Sequence, residues 1–241
     1  MKKAVLIGLA LCLAGTANAQ WGRKIKGNGN MVTMERSTGE YDAVSVSGSF
    51  DVDLVAGTEG NVKVRAEENL QEWIVTEVKD GELIIKVKNG VNLRPSSWKD
   101  GFQITVPVET INAISLAGSG NISGKTTLSA DEFTTKLSGS GDMSLEVESN
   151  GLNASMSGSG DINLRGHANR FYVQISGSGD VDAYELEAEE VDANISGSAD
   201  ILVNVTQLLK ARVSGSGDIH YRGNPAKIDS KVSGSGSISK G

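Results

Sequence analysis

From about residue 111 onward, apolar side chains recur on two scales: every second residue within a segment, and every nineteen or so between segments. Take as origin the first glycine of each Ser-Gly-Ser-Gly phrase. Six residues before it stand Phe133, Leu152, Phe171, Val191, Leu209 and Ile228. Two before it stand Leu116, Leu137, Met156, Ile175, Ile195, Val213 and Val232. Four after it come Ile122, Met143, Ile162, Val181, Ile201, Ile219 and Ile238, and six after it Leu145, Leu164, Ala183, Val203 and Tyr221. Four before it the residue is small in most copies: Thr135, Ala154, Val173, Ala193, Ala211 and Ser230. All these offsets are even, so the positions share one face of extended backbone, and no 3.6-residue period fits the same columns.

The first glycines are Gly118, Gly139, Gly158, Gly177, Gly197, Gly215 and Gly234, spaced 21, 19, 19, 20, 18 and 19 residues apart. A period this regular predicts an all-β parallel β-helix, a solenoid with coils of about 19 residues. Each coil reads as about thirteen residues of strand interrupted by Gly-x-Gly, then about six of turn. The glycines have two physical readings: positive φ at a corner, or an interior too narrow for a side chain. The corner is the reading adopted. Three residues after the glycine stands a column of carboxylates, Asp142, Asp161, Asp180, Asp200 and Asp218, with Asn121 and Ser237 at its ends. Stacked like charges repel, but an Asp beside a glycine corner can accept backbone N–H groups in an Asx-turn ladder.

Residues 41–110 are less regular. Alternation over Val44–Val55, Val62–Val64, Ile74–Val78, Leu83–Val87 and Ile104–Val106 predicts strands, with Asp80-Gly81 as a hairpin turn and one or two helical turns over Glu67–Trp73. This part is expected to be a strand-rich N-terminal cap of one domain spanning 41–241, whose regular coils occupy 111–241. A further Ser47-Gly-Ser-Phe-Asp51 phrase lies within it. At the other end Ser237 and Lys240 replace the Asp and the core Leu of earlier copies, which predicts a polar C-terminal cap.

Lys2 and Lys3, the apolar run Ala4–Ala14 and Ala17-Asn18-Ala19 read as a signal peptide over 1–19, followed by a mature lead over 20–40. That run is too short for a membrane span. The single cysteine, Cys12, falls inside it, so the mature chain is expected to hold no disulfide. Without Lys2 and Lys3 the balance is 21 basic to 30 acidic residues, a net −9 with no basic cluster, which argues against a nucleic-acid partner.

The phrases Val46-Ser-Gly-Ser-Phe-Asp-Val52, Gly81-Glu-Leu-Ile-Ile85, Val106-Pro107, Leu116-Ala-Gly-Ser-Gly-Asn-Ile122 and the later Ser-Gly-Ser-Gly-Asp copies occur here in this order. In that series residues 41–240 resemble the bacterial exported family DUF2807, the "putative auto-transporter adhesin head GIN domain". The resemblance implies a β-helical fold and export to the periplasm, the outer-membrane surface or beyond.

Chemistry is sparse. Calcium at the Asp column would need six to eight oxygens, and one carboxylate per coil supplies few. The outward Ser, Ser, Asp array reads as a solvated face. His167 and His220 sit in different coils at unlike offsets, and Glu187–Asp192 reads as a solvated acidic bulge. No nucleophile elbow, paired metal-binding histidines or phosphate loop occurs. No catalytic, metal or cofactor-binding residue is therefore assigned, and no cofactor is expected. The expected role is a structural or adhesive module with an unidentified cell-surface, glycan or protein partner, and self-association stays open. The alternative is a glycan or small-ligand site in the N-terminal part around Trp73 and Trp98, within or near Leu93–Trp98; a polysaccharide hydrolase or lyase is the remote one.

Overall fold

The computed structural model describes residues 22–98 and 100–241, so the expected signal peptide with Cys12 lies outside the described residues. The irregular part holds β1 (Arg23–Lys26), β2 (Met31–Gly39), β3 (Ala43–Gly48), β4 (Asp51–Ala56) and β5 (Gly60–Glu67). A 3-10 helix over Glu68–Trp73 follows, then β6 (Ile74–Lys79), β7 (Glu82–Val87), β8 (Val91–Arg94) and β9 (Gln103–Val108). The regular part begins at β10 (Ala113–Gly118) and continues through β11 (Asn121–Gly139), β12 (Asp142–Gly158), β13 (Ile162–Gly177), β14 (Val181–Gly197) and β15 (Ile201–Gly215). It finishes in β16 (Ile219–Arg222), β17 (Lys227–Gly234) and β18 (Ile238–Lys240).

The predicted solenoid is present. From β10 to β18 each strand pairs in parallel with the equivalent segment one coil away, so that Gly118, Gly139, Gly158, Gly177, Gly197, Gly215 and Gly234 form one file. The expected six-residue turns are absent as separate elements. Strands β11–β15 run 15 to 19 residues without a break, because the coil bends while its backbone stays bonded to the coils on either side. Small register shifts near Ser123, Asn163, Ala183 and Ala188 absorb the unequal coil lengths. The interruption comes at the Ser-Gly-Asp corner.

All the even-offset columns are buried through β15 and into Ile219 of β16; Phe133, Leu152, Val173 and Ile195 are each under 4% exposed. Each such Leu, Ile or Phe contributes about 1.5–3 kcal/mol by leaving water. The same columns in the end coil are not covered: Ile228 and Val232 are 45% and 41% exposed. The polar cap expected at that end does not close it.

The irregular part combines both predicted forms. Strands β3 and β4 form a further coil, with Gly48 in register with Gly118 and Asp51 with Asn121. In that coil Phe50 replaces the second glycine, is buried, and meets Phe102 edge-on at 5.4 Å between ring centroids. Beyond this coil β6 and β7 make the predicted antiparallel hairpin, with Asp80 (φ 53°) and Gly81 (φ 80°) at its turn. The lead is not a loose tail: β2 pairs antiparallel with β5, and β1 runs parallel to β8.

Candidate functional site

At the corner both readings of glycine hold, together at the first glycine and by close approach alone at the second. Gly158 has φ +139°, and a Cβ added there would lie 2.0 Å from the Gly139 carbonyl oxygen. Gly160 lacks positive φ, yet its Cβ would lie 1.9 Å from the Gly141 oxygen. The first glycine is needed for both conformation and close stacking, the second for close stacking alone.

The Asp column satisfies the corner. Asp161 N donates to Asp142 Oδ1 at 3.1 Å, Asp180 N to Asp161 at 3.1 Å, Asp200 N to Asp180 at 2.8 Å and Asp218 N to Asp200 at 2.9 Å. The ends join the same series, since Asp142 N bonds Asn121 Oδ1 and Ser237 N bonds Asp218 Oδ1. The ladder thus runs between coils, where the sequence suggested a turn within one coil. A hydrogen bond to a carboxylate contributes about 1.5–3 kcal/mol. Two exposed charges one coil apart, about 4.8 Å, repel by only about 1 kcal/mol in water. The donated N–H groups therefore offset the repulsion along the column. Among the described residues no group of three or more His, Cys, Asp or Glu is placed to hold a metal.

On the outer sheet face the residues one and three before each first glycine form two further files. Ser138, Ser157, Ser176, Ser196, Ser214 and Ser233 make the first, all exposed or nearly so. Lys136, Ser155, Gln174, Asn194, Arg212 and Lys231 make the second. Two open hollows lie along these files. One of about 450 Å³ is lined by Lys136, Ser157, Gln174 and Ser176, and one of about 330 Å³ by Gln174, Ser196, Arg212 and Lys231. They share Gln174, so together they form a trough along the stack axis.

The N-terminal part places its two tryptophans differently. Trp73 is half-buried against the core, with the Arg23 guanidinium 5.7 Å and the Lys88 ammonium 5.5 Å from its ring centroid. Trp98 is 65% exposed. Nearby, Glu67 is buried and accepts backbone N–H groups from Gly29 and from Ser96. Desolvation pushes its pKa up, but these bonds outweigh it and hold the carboxyl below its usual value. Arg36 donates to the Ile74 carbonyl and to the carbonyl and side-chain oxygens of Gln71, which itself bonds the Val64 carbonyl; burial lowers the Arg36 pKa. Both knots tie the lead to the cap.

His167 bonds Asn169 and His220 bonds Ser239, in separate coils. The acidic run Glu187–Asp192 lies within β14 beside its register shifts, with Glu187, Glu189 and Glu190 exposed. One feature escaped the sequence reading. Arg222 lies 3.7 Å over the Tyr184 ring, beside a hollow of about 370 Å³ lined also by Asn163, Arg165, Asp182 and Glu185. Its signal was the 20-residue coil between Gly177 and Gly197, whose extra residue is absorbed near Tyr184.

Comparison with known proteins agrees with this architecture. A crystal structure of a protein called a putative adhesin from Bacteroides fragilis is 25% identical, with TM-score 0.83 over 90% of this chain and 99% of that one. A protein called "putative lipid binding protein" from Parabacteroides distasonis is 29% identical, with TM-score 0.75 over 91% and 100%. Another called a putative adhesin from Parabacteroides distasonis, at 24% identity and TM-score 0.72 over 90% and 100%, shares the fold. No curated protein matches the chain. The sequence profile of DUF2807, described as "Putative auto-transporter adhesin, head GIN domain", matches residues 40–225, and the chain belongs to that family.

Proposed function

We propose that this protein is an exported, non-enzymatic surface module that adheres through its outer sheet face. The observation that carries the reading is the trough along the Ser file, which repeats every coil and is flanked at every second coil by Lys136, Gln174 and Arg212. Donors and acceptors at that regular spacing suit an extended polymer, a glycan or an unfolded segment of protein, which needs many weak contacts in series. The family description and the names of the structural relatives support an adhesive role.

A second reading is favoured by Trp98, whose exposed ring offers a sugar a stacking surface. Trp73 does not serve this purpose well, being half-buried and flanked by two cations. Glycan and surface-protein arrays probed with the double variant Gln174→Ala/Arg212→Ala and with Trp98→Ala separate the two. Loss of capture in the double variant alone is expected. Loss in Trp98→Ala alone rejects the outer face in favour of the N-terminal part.

A further inference from the structure

Strand β17 pairs with β15 on one side and, among the described residues, with no strand on the other. In a parallel ladder alternate residues turn both N–H and C=O toward the same neighbour. Thr134 N donates back to the Asn112 carbonyl at 2.8 Å, and Ser235 N to Gly215 at 2.9 Å, so odd offsets face the preceding coil. In the end coil the backbone groups of Ile228, Ser230 and Val232 therefore aim at the open side. The side chains of Ile228 and Val232 are the exposed apolar pair there.

The segment Ile228-Asp229-Ser230-Lys231-Val232 is complementary to itself when reversed about Ser230. We infer that β17 pairs antiparallel with β17 of a second copy about a two-fold axis at Ser230, joining two solenoids end to end. In that register Ser230 faces Ser230, each Ile228 faces Val232, and each Asp229 faces Lys231. The residues whose backbone groups point outward become the hydrogen-bonded pairs, and the apolar side chains continue the core file across the junction. Neighbouring registers that keep the same backbone bonding fail on charge. A shift one way sets Asp229 against Asp229 and Lys227 against Lys231; a shift the other way sets Lys231 against Lys231. Asp229 is held charged by Arg212, whose Nη2 lies 2.6 Å from its carboxylate. An isologous contact of this kind closes at two copies.

Sedimentation velocity across micromolar to submillimolar concentrations tests the pairing. The unaltered chain is expected to pass from monomer to dimer. Lys231→Asp and Asp229→Lys should each be monomeric alone, because like charges then face one another. Mixed together they should dimerise, because every opposed pair is again of opposite sign. Ser230→Pro removes an edge-facing N–H without touching the ladder to β15, and should also be monomeric; it decides the matter if Asp229→Lys fails to fold. A wild-type monomer at every concentration overturns the inference. So does a dimer that survives Lys231→Asp and Ser230→Pro, or growth into larger species, which signals head-to-tail stacking.

Discussion

Replacing Gly158 with alanine adds one methyl group at the tightest point of the coil. The new Cβ would lie 2.0 Å from the Gly139 oxygen, where side chains essentially never approach within 3.0 Å. That oxygen accepts Ser159 N at 2.9 Å, so moving it away strains a ladder bond that contributes about 1 kcal/mol. Forcing φ +139° on a residue with a Cβ costs about 1–3 kcal/mol more. Overpacking against backbone that cannot rotate aside adds about 1–3 kcal/mol. The sum, about 3–7 kcal/mol, is a large share of the about 5–15 kcal/mol that holds a domain together. Urea unfolding followed by circular dichroism should show a lower midpoint for Gly158→Ala, and valine should be worse. Gly160→Ala isolates the packing contribution, since Gly160 lacks positive φ, and should lose about 1–3 kcal/mol. Exposed Ser157→Ala should change stability by no more than about 0.5 kcal/mol. An unchanged midpoint for Gly158→Ala refutes the stacked-corner account.

Three other outcomes are expected. Glu67→Gln should destabilise by about 2 kcal/mol at neutral pH, since it weakens two bonds to a buried carboxylate. The folded carboxyl titrates below its usual value of 4.5, so its contribution is complete above that value and fades as pH falls through the lower one; the gap between wild type and variant in thermal melts should close on acidification. A gap that widens in acid contradicts this sign. Deleting residues 157–175, one period, should yield a folded, shorter protein with a monomeric hydrodynamic size at low concentration, because coils contribute nearest-neighbour energies; an aggregate counts against it. Calcium or a chelator should leave the melting temperature unchanged, whereas a saturable rise would give the Asp column a ligand.

The regular columns were legible because each coil imposes the same geometry on the same offset, so burial repeats wherever the stack continues. Phe133, Met156 and Ile201 needed only their spacing. Burial at Ile228 and Val232 was not legible, because it depends on whether another coil follows, and alternation within a strand carries no such information. Glu67 was hidden for a different reason: its donors, Gly29 and Ser96, lie 38 and 29 residues away in the part without a repeat. The Asp column was visible, but its partner was not. An N–H in the next coil and one in the same turn look alike until the pitch of the stack brings the former to about 3 Å.

The claim that the Ser-Gly-Ser-Gly-Asp phrase is a coil corner closed by its own Asp ladder is tested most directly by amide hydrogen exchange at single residues. In the wild type the Asp200 amide should be protected, since it donates to Asp180. In Asp180→Ala that one amide should exchange faster, while the Asp180 amide, bonded to Asp161, stays protected. Asp180→Asn should retain protection, as Asn121 does for Asp142. Fast exchange at Asp200 in the wild type, or loss of protection at Asp180 in place of Asp200 in the alanine variant, contradicts the ladder.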